Sequence, residues 1–405
     1  MSEWQDVVIE DLCSEITDCV NKTAPSVDYV TPYKMIRTTN IKQGRINLDE
    51  VRYVTEETYN TWIRRGAPQL EDIILTREAP VGEVGMIRTL EKVFLGQRTM
   101  MYRADRTKAD PYFLYYAFQT EAVQEQIHSA GMGSVVEHVR VPDAKKFKIS
   151  TPPLSEQKAI ASVLSSLDDK IDLLHRQNKT LEAMAETLFR QWFIEEAKED
   201  WEKVTLGDIV NITSSKRIFY SEYVDEGIPF YRSKEIIELN KSGQTRSELF
   251  ISNERFDGIV AKFGAPVEGD ILLTSVGTLG VTYQVKASDR FYFKDGNLTW
   301  FKDFKHISSN IIFCWLNSKN GKEQLDNISI GSTQAALTIQ GLKSLELSLP
   351  SLNVIQKLDE QLVVIYQKVN ANQSQIQTLE KLRDTLLPKL MSGEVRVQYQ
   401  TAEVA

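Results

Sequence analysis

The segment E-D-I-I-L-T at residues 71–76 returns 198 residues later as G-D-I-L-L-T at 269–274, and this echo decides how the rest of the chain is read. Trp4 opens W-Q-D-V-V-I-E-D-L and Trp201 opens W-E-K-V-T-L-G-D-I, an offset of 197. Gly133-Ser134 returns as Gly331-Ser332, and I-S-T-P-P-L at 149–154 returns as L-S-L-P-S-L at 347–352, each offset by 198. Landmarks that agree within one residue define a duplicated domain. Solenoid units repeat every 20–50 residues or so, far below this period.

Each half reads as short strands, turns and one or two helices, followed by a long helix. Strands are expected at Asp72–Thr76, Val84–Arg88, Asp270–Thr274 and Val281–Val285, which are rich in β-branched residues and bounded by Gly or Pro. A helix is expected over Pro111–His128, with a counterpart over Ser309–Asn327. The aromatic run Tyr112-Phe113-Leu114-Tyr115-Tyr116 on that helix reads as domain core and not as a base-stacking surface. The pairs Gly82/Gly85 and Gly277/Gly280 lack the G-x-x-x-x-G-K-[ST] context of a phosphate cradle and read as hairpin turns.

Between and after the two domains, apolar residues recur at alternating steps of four and three. The first series is Ile160, Leu164, Leu167, Ile171, Leu174, Asn178, Leu181, Ala185, Leu188, Trp192. The second is Leu358, Leu362, Ile365, Val369, Asn372, Ile376, Leu379, then Leu386. A narrow stripe sustained over four heptads or so predicts a coiled coil. Ser155 is expected to cap the first helix with Glu156 favouring its dipole, Asn353 and Gln356 to form a capping box for the second, and Pro388 to end it. Antiparallel pairing with residue numbers summing to about 550 opposes Leu164 to Leu386, Leu174 to Ile376 and Asn178 to Asn372. Paired amides in an apolar seam fix register. Helices of about 35–40 residues span roughly 50–60 Å at ~1.5 Å per residue. A rod of that length can hold two readers on major-groove faces that recur every ~34 Å along DNA.

The expected fold is therefore α+β: two similar mixed α/β domains separated by a long intramolecular antiparallel coiled coil, as a pseudo-two-fold, circular repeat. The boundaries are 1–150 and 199–350 for the domains, 151–198 and 351–392 for the helices, and 393–405 for a C-terminal strand and tail.

Composition is that of a globular protein, at 42% hydrophobic and 26% charged over 405 residues. No apolar run approaches the ~18 residues of a membrane span, and the acidic start lacks a signal-peptide core, so a cytoplasmic location away from membranes is expected. Cys13, Cys19 and Cys314 have no C-x-x-C spacing, and His128, His138, His175 and His306 are scattered, so neither metal nor cofactor is expected. The net charge of −8 argues at first against nucleic acid. By segment, residues 1–150 carry 19 basic and 22 acidic side chains, 151–200 carry 6 and 10, 201–350 carry 17 and 18, and 351–405 carry 6 and 6. The acid excess is densest in the first linking helix, which leaves each domain free to have a basic face.

The strings P-P-L-S-E-Q-K-A-I-A at 152–161, L-F-R-Q-W-F at 188–193, L-L-P-K-L-M-S-G-E-V at 386–395 and G-S-T-Q at 331–334, in this order and period, resemble the specificity subunit of a Type I restriction–modification system over essentially the whole chain. The resemblance implies a non-catalytic, prokaryotic subunit in which each domain reads one half of a split double-stranded DNA target. It implies that the helices set the spacing and dock two copies of a methyltransferase subunit, that a restriction subunit joins them, and that Glu394–Gln398 returns to the first domain as a strand. The first domain's acidity departs from what phosphate contact asks, and implies that partners supply cationic surface.

Base reading requires donors and acceptors on loops, Arg for guanine and Asn or Gln for adenine. Loops that differ between matched strands supply the candidates. In the first half they are Arg37, Thr38 and Asn40; Arg77 and Glu78; Gln97 and Arg98; and His138 and Arg140. In the second they are Arg232, Ser233 and Lys234; Ser275, Lys294 and Asn297; and Thr333 and Gln334. Two rival functions fit less well. A methyltransferase would, by resemblance to adenine methyltransferases, carry N-P-P-Y or D-P-P-Y, and T-P-P-L at 151–154 only leads into a helix. A pure scaffold, with the coiled coil as a protein adaptor and no DNA role, is distinguished by DNA binding measured with and without the methyltransferase partner.

Overall fold

The computed structural model describes residues 4–131, 137–331 and 335–397, which fold as two compact units: residues 1–172 with 377–405, and residues 173–376. In the first unit a four-stranded antiparallel sheet runs Cys13–Asp18, Thr99–Ala104, Ile73–Arg77, Val81–Met86. The second unit repeats it as Asn211–Thr213, Leu298–Lys302, Ile271–Thr274, Thr282–Gln284. Around it each unit sets a two-stranded ribbon, Gln5–Val8 with Lys148–Thr151 and Glu202–Thr205 with Glu346–Leu349. Each also has one parallel pair, Tyr33–Ile36 beside Lys92–Leu95 and Ile228–Tyr231 beside Tyr292–Phe293.

The central strands are buried at every position, Thr76, Arg77 and Thr274 included, because both faces of the sheet are covered. Side chains alternate along a strand. Ile73 and Leu75 therefore join the cluster formed with Phe113, Leu114, Tyr116 and Leu164, while Ile74 joins Ile36, Ile41 and Met101 on the other side. Ile271 and Leu273 pack with Ile311, Trp315 and Leu362, and Leu272 with Phe293 and Trp300. The aromatic run lies in the core: Phe113, Leu114, Tyr115 and Tyr116 are all buried. The strand after the first hairpin begins at Val81, three residues ahead of the predicted start. That places Gly82 and Gly85 inside a strand, where a Cβ on Gly85 would lie 2.5 Å from Ile46 Cγ1. Gly277 and Gly280 do lie in the hairpin loop.

Both predicted single helices are split. Pro111–Ala117 is followed by Glu121–Gly131, and Ser309–Asn317 by Lys319–Asn327. Ser318 takes an extended backbone and its hydroxyl accepts the Gly321 N–H at 3.1 Å, starting a new helix. Gly321 also passes so close to Trp315 that a Cβ would sit 2.0 Å from its carbonyl oxygen.

The first long helix runs Leu154–Arg190 and the second Leu352–Met391. Ser155 and Asn353 are thus inside their helices, because the carbonyls of Pro153 and Ser351 already accept the first helical N–H groups. Pro388 does not end the second helix, which continues for three residues; a proline this near a terminus removes one backbone bond and little else. Within the first unit the helices run antiparallel, Asp168 meeting Arg383 at 3.0 Å and Leu164 packing in one cluster with Leu386 and Leu390. Within the second, Asn178 Oδ1 accepts from Asn372 Nδ2 at 2.8 Å, and Asn178 Nδ2 reaches the Val369 carbonyl at 3.4 Å. Three seam positions of the first helix differ from the heptad reading: Phe189 and Phe193 are buried in place of Leu188 and Trp192, and Asp168 in place of Leu167, held by Arg383 and by the Tyr116 hydroxyl at 2.7 Å.

Residues 394–397 form no strand. They do return to the first unit, with Arg396 stacked over Trp4 and paired with buried Glu156 at 2.6 Å; residues 398–405 lie outside the described residues. Among the described residues no helix is long and apolar enough to cross a membrane.

Candidate nucleic-acid interface

In the first unit three loops meet through main-chain bonds at the end of strand Ile73–Arg77. The Arg77 N–H donates to the Arg98 carbonyl at 2.9 Å, and the Arg77 carbonyl accepts from Val139 N–H at 3.0 Å. A fourth joins where Gly96 N–H meets the Ile36 carbonyl at 2.7 Å. This junction gathers the candidates from 37–40, 77–78, 97–98 and 138–140. Glu78 sits between Arg98 (Nε–Oε1, 3.2 Å) and His138 (Nδ1–Oε2, 3.4 Å). Arg98 has φ of +72°, an uncommon setting for a non-glycine residue that its backbone bond to Arg77 holds in place. Gln97 accepts from the Thr23 hydroxyl at 3.0 Å, and Arg140 is exposed beside Asp143 at 3.0 Å.

The remaining candidates of this half are turned inward. Arg77 is 7% exposed, donates from Nη1 to the Val139 carbonyl at 3.3 Å, and has no partner for Nε among the described residues. Thr38 and Asn40 are buried; Asn40 accepts the Arg37 N–H at 3.0 Å and donates to the Glu50 carbonyl at 3.2 Å. Arg37 reaches the same carbonyl at 3.3 Å, and its guanidinium is held below its ordinary pKa by burial and then by Arg52.

The second unit builds the same junction from other side chains. Ser275 N–H donates to the Asn297 carbonyl at 2.8 Å, Leu337 N–H to the Ser275 carbonyl at 2.9 Å, and Lys294 N–H to the Tyr231 carbonyl at 2.8 Å. Ser275 is buried with its hydroxyl 2.6 Å from that of Thr299, and Ser233 reaches the Asn297 carbonyl at 3.5 Å. Arg232 and Lys234 face outward but share an acid: Glu248 pairs with Arg232 at 2.9 Å and Lys234 at 2.5 Å, while buried Glu235 takes Arg232 at 2.7 Å. The ammonium of Lys234, then the Arg232 guanidinium, holds the Glu248 carboxyl down at about 2. Lys294 is exposed and lacks an acidic partner among the described residues. Thr333 and Gln334 lie outside the described residues.

Sequence reasoning missed Glu235 and Glu248 as counter-ions. The spacing R-S-K-E at 232–235, parallel to R-T-T-N at 37–40, signals Glu235, since both close a turn on the arginine N–H. Glu248 is distant in sequence and carries no local signal. Burial pushes the Cys13 and Cys314 thiols up to about 12, far from nucleophilic, and no cluster able to hold a metal ion occurs among the described residues.

A family model described as Type I restriction modification DNA specificity domain matches the chain twice, over residues 1–183 and 198–381. The MjaIX specificity subunit of Methanocaldococcus jannaschii is 27% identical over 381 residues, covering 86% of this chain and 82% of that protein. The MjaVIII specificity subunit of the same organism is 26% identical, covering 76% and 77%. The fold is similar to that in a crystal structure of a Type I restriction–modification S subunit from M. genitalium, with TM-score 0.59 at 19% identity, over 99% of this chain and 97% of the other.

Proposed function

Because the chain belongs to the Type I restriction–modification DNA specificity family, in which the specificity subunit is a non-catalytic DNA-recognition component, we propose that its two recognition domains read the two halves of one bipartite target. The observation that carries this reading is the pair of junctions just described: one backbone frame built twice, presenting Glu78, Arg98 and His138 in one unit and Arg232, Lys234, Lys294 and Asn297 in the other. A duplicated frame with unlike side chains suits two different base sequences.

In this reading exposed Arg98 and Arg140 contact DNA as donors to guanine or phosphate, and half-buried Asn297 reads adenine. Arg37, Gln97 and Ser233 border the surface. The buried residues Thr38, Asn40, Arg77 and Ser275 position these loops without touching bases. The Asn178–Asn372 pair sets the register of the helices and through it the spacing of the half-sites. The helices dock two copies of a methyltransferase subunit, which supply the catalysis and part of the cationic surface, and a restriction subunit completes the nuclease inside the prokaryotic cytoplasm.

Methylome sequencing of the host tests this. Deleting the gene should abolish methylation at one split motif, and Arg98→Ala should relax one half of that motif while leaving the other intact. Relaxation of both halves, or of neither in the assembled complex, overturns the two-reader assignment.

A further inference from the structure

The two frames part company where each recognition domain packs on its long helix. In the first unit Arg88 follows strand Val81–Met86 and meets Asp168 at 3.6 Å, Asp169 at 3.4 Å and Asp172 at 3.3 Å, with its guanidinium over the Tyr112 and Tyr115 rings. Counting on by 198, the second unit has Lys286 for Arg88, Tyr366, Gln367 and Asn370 for the three aspartates, and Asn310 for Tyr112. The equivalence is structural as well: Ile87 N–H bonds the Asp72 carbonyl, and Val285 N–H the Asp270 carbonyl, one residue before each cation. The cation persists while its three carboxylates are gone.

In the second unit the place is a crevice of about 580 Å³ lined by Gln284, Lys286, Ser288, Asn310, Gln367 and Asn370 among others. Lys286 Nζ donates to Gln373 Oε1 at 2.8 Å and has no carboxylate within ion-pair distance among the described residues. Burial pulls its ammonium below the ordinary lysine pKa, opposed only by Asp289. That carboxylate is already engaged, accepting the Lys286 main-chain N–H at 2.8 Å and the Tyr283 hydroxyl at 2.7 Å. Of the other titratable groups facing the crevice, Glu268 is exposed and the Tyr366 hydroxyl is held neutral by burial. A part-buried cation ringed by neutral amides lacks the counter-charge that its twin possesses.

We propose that this crevice binds a carboxylate, anchored by Lys286 and flanked by the amides of Gln367 and Asn370, in the place that Asp169 and Asp172 fill in the first unit. The carboxylate belongs either to a small polycarboxylate, for which a volume within ~300–1,000 Å³ is ordinary, or to an acidic side chain of a partner polypeptide. The site is independent of the DNA-reading loops.

Calorimetric titration of the full-length chain with citrate, and separately with a hexaglutamate peptide, tests it. Binding of at least one probe is expected; citrate binding identifies the small-molecule source, and binding of the peptide alone identifies the polypeptide source. Lys286→Gln should weaken the bound probe by about tenfold or more and Lys286→Arg should retain it, as the arginine of the first unit suggests. The double substitution Gln367→Asp with Asn370→Asp, which restores the first unit's own acids, should also expel the probe. Circular dichroism melting of each variant separates loss of binding from loss of fold. Failure of both probes to bind at millimolar concentration, or equal binding by wild type and Lys286→Gln, overturns the proposal.

Discussion

Asp72 and Asp270 stand at the same place in the two units and are satisfied by different partners. Each closes the turn before the central strand by accepting a main-chain N–H three residues back, from Gln69 at 2.7 Å and from Val267 at 3.0 Å. Asp72 then takes both arms of Arg103, at 2.9 and 2.7 Å through its two oxygens, whereas the side-chain donor to Asp270 among the described residues is the Trp300 indole N–H at 2.8 Å, on the oxygen that already binds Val267. Burial raises the pKa of both carboxyls. The backbone duty of the residue is preserved and its side-chain partner is replaceable. The helix contacts follow the same pattern: the first unit is tied to its helix by ions, with Arg45, Arg88 and Arg383 converging on Asp168 and Asp172, and the second by amides and aromatics.

The sharpest way to break this contrast is at the helix. Asp168→Ala leaves Arg383 and Arg88 partly buried without their central acid and should cost about 3–5 kcal/mol in urea unfolding, while Gln367→Ala in the second unit should change stability by less than ~0.5 kcal/mol. Equal losses would mean that the ionic network carries no special weight.

The paired aspartates come next. Asp72→Asn loses a bidentate charged pair and should cost about 1.5–3 kcal/mol. In Asp270→Asn a single amide oxygen can still accept from both Trp300 and Val267, so the loss should be under ~1 kcal/mol. The pH dependence supplies a second reading. A carboxyl whose folded pKa is raised binds its proton more tightly when folded, so its contribution to stability is present in acid and declines as pH rises through that raised pKa. Either Asn variant should therefore show a flatter stability profile just above the ordinary aspartate pKa of 3.8.

At the seam, Asn372→Leu strands the Asn178 amide in an apolar stripe and should cost about 1–3 kcal/mol, and adding Asn178→Leu should recover most of that. A double variant as weak as the single one would show that the pair does not act through mutual satisfaction.

The smallest effect is expected at the interface. Glu248→Gln frees Lys234 and leaves Arg232 paired with Glu235 alone, so DNA affinity of the assembled complex should rise and its dependence on salt steepen by about one counterion. Acidification from pH 7 to 5 should not imitate this. The folded Glu248 pKa is depressed to about 2 from 4.5, so its ion pairs persist above 4.5 and are lost only as pH falls through 2.

The sequence by itself determined the duplication, the α+β character, the paired helices and most of the seam residues, because these rest on periodicity and on repeated strings that local chemistry constrains. Helix starts were legible to within a residue or two and the ends at His128 and Pro388 to within three, and the splits at Ser318 and after Ala117 were not, since an extended Ser and a glycine facing a carbonyl are decided by packing. The candidate loops were found by their contrast between the halves, yet which of their residues face solvent was hidden. Arg77 looked like a reader and is 7% exposed, while Glu248, unnoticed in sequence, holds two of the chosen cations. Only the tertiary structure could decide that, because these partners lie 14 to 62 residues away along the chain, and burial and charge pairing depend on distance in space.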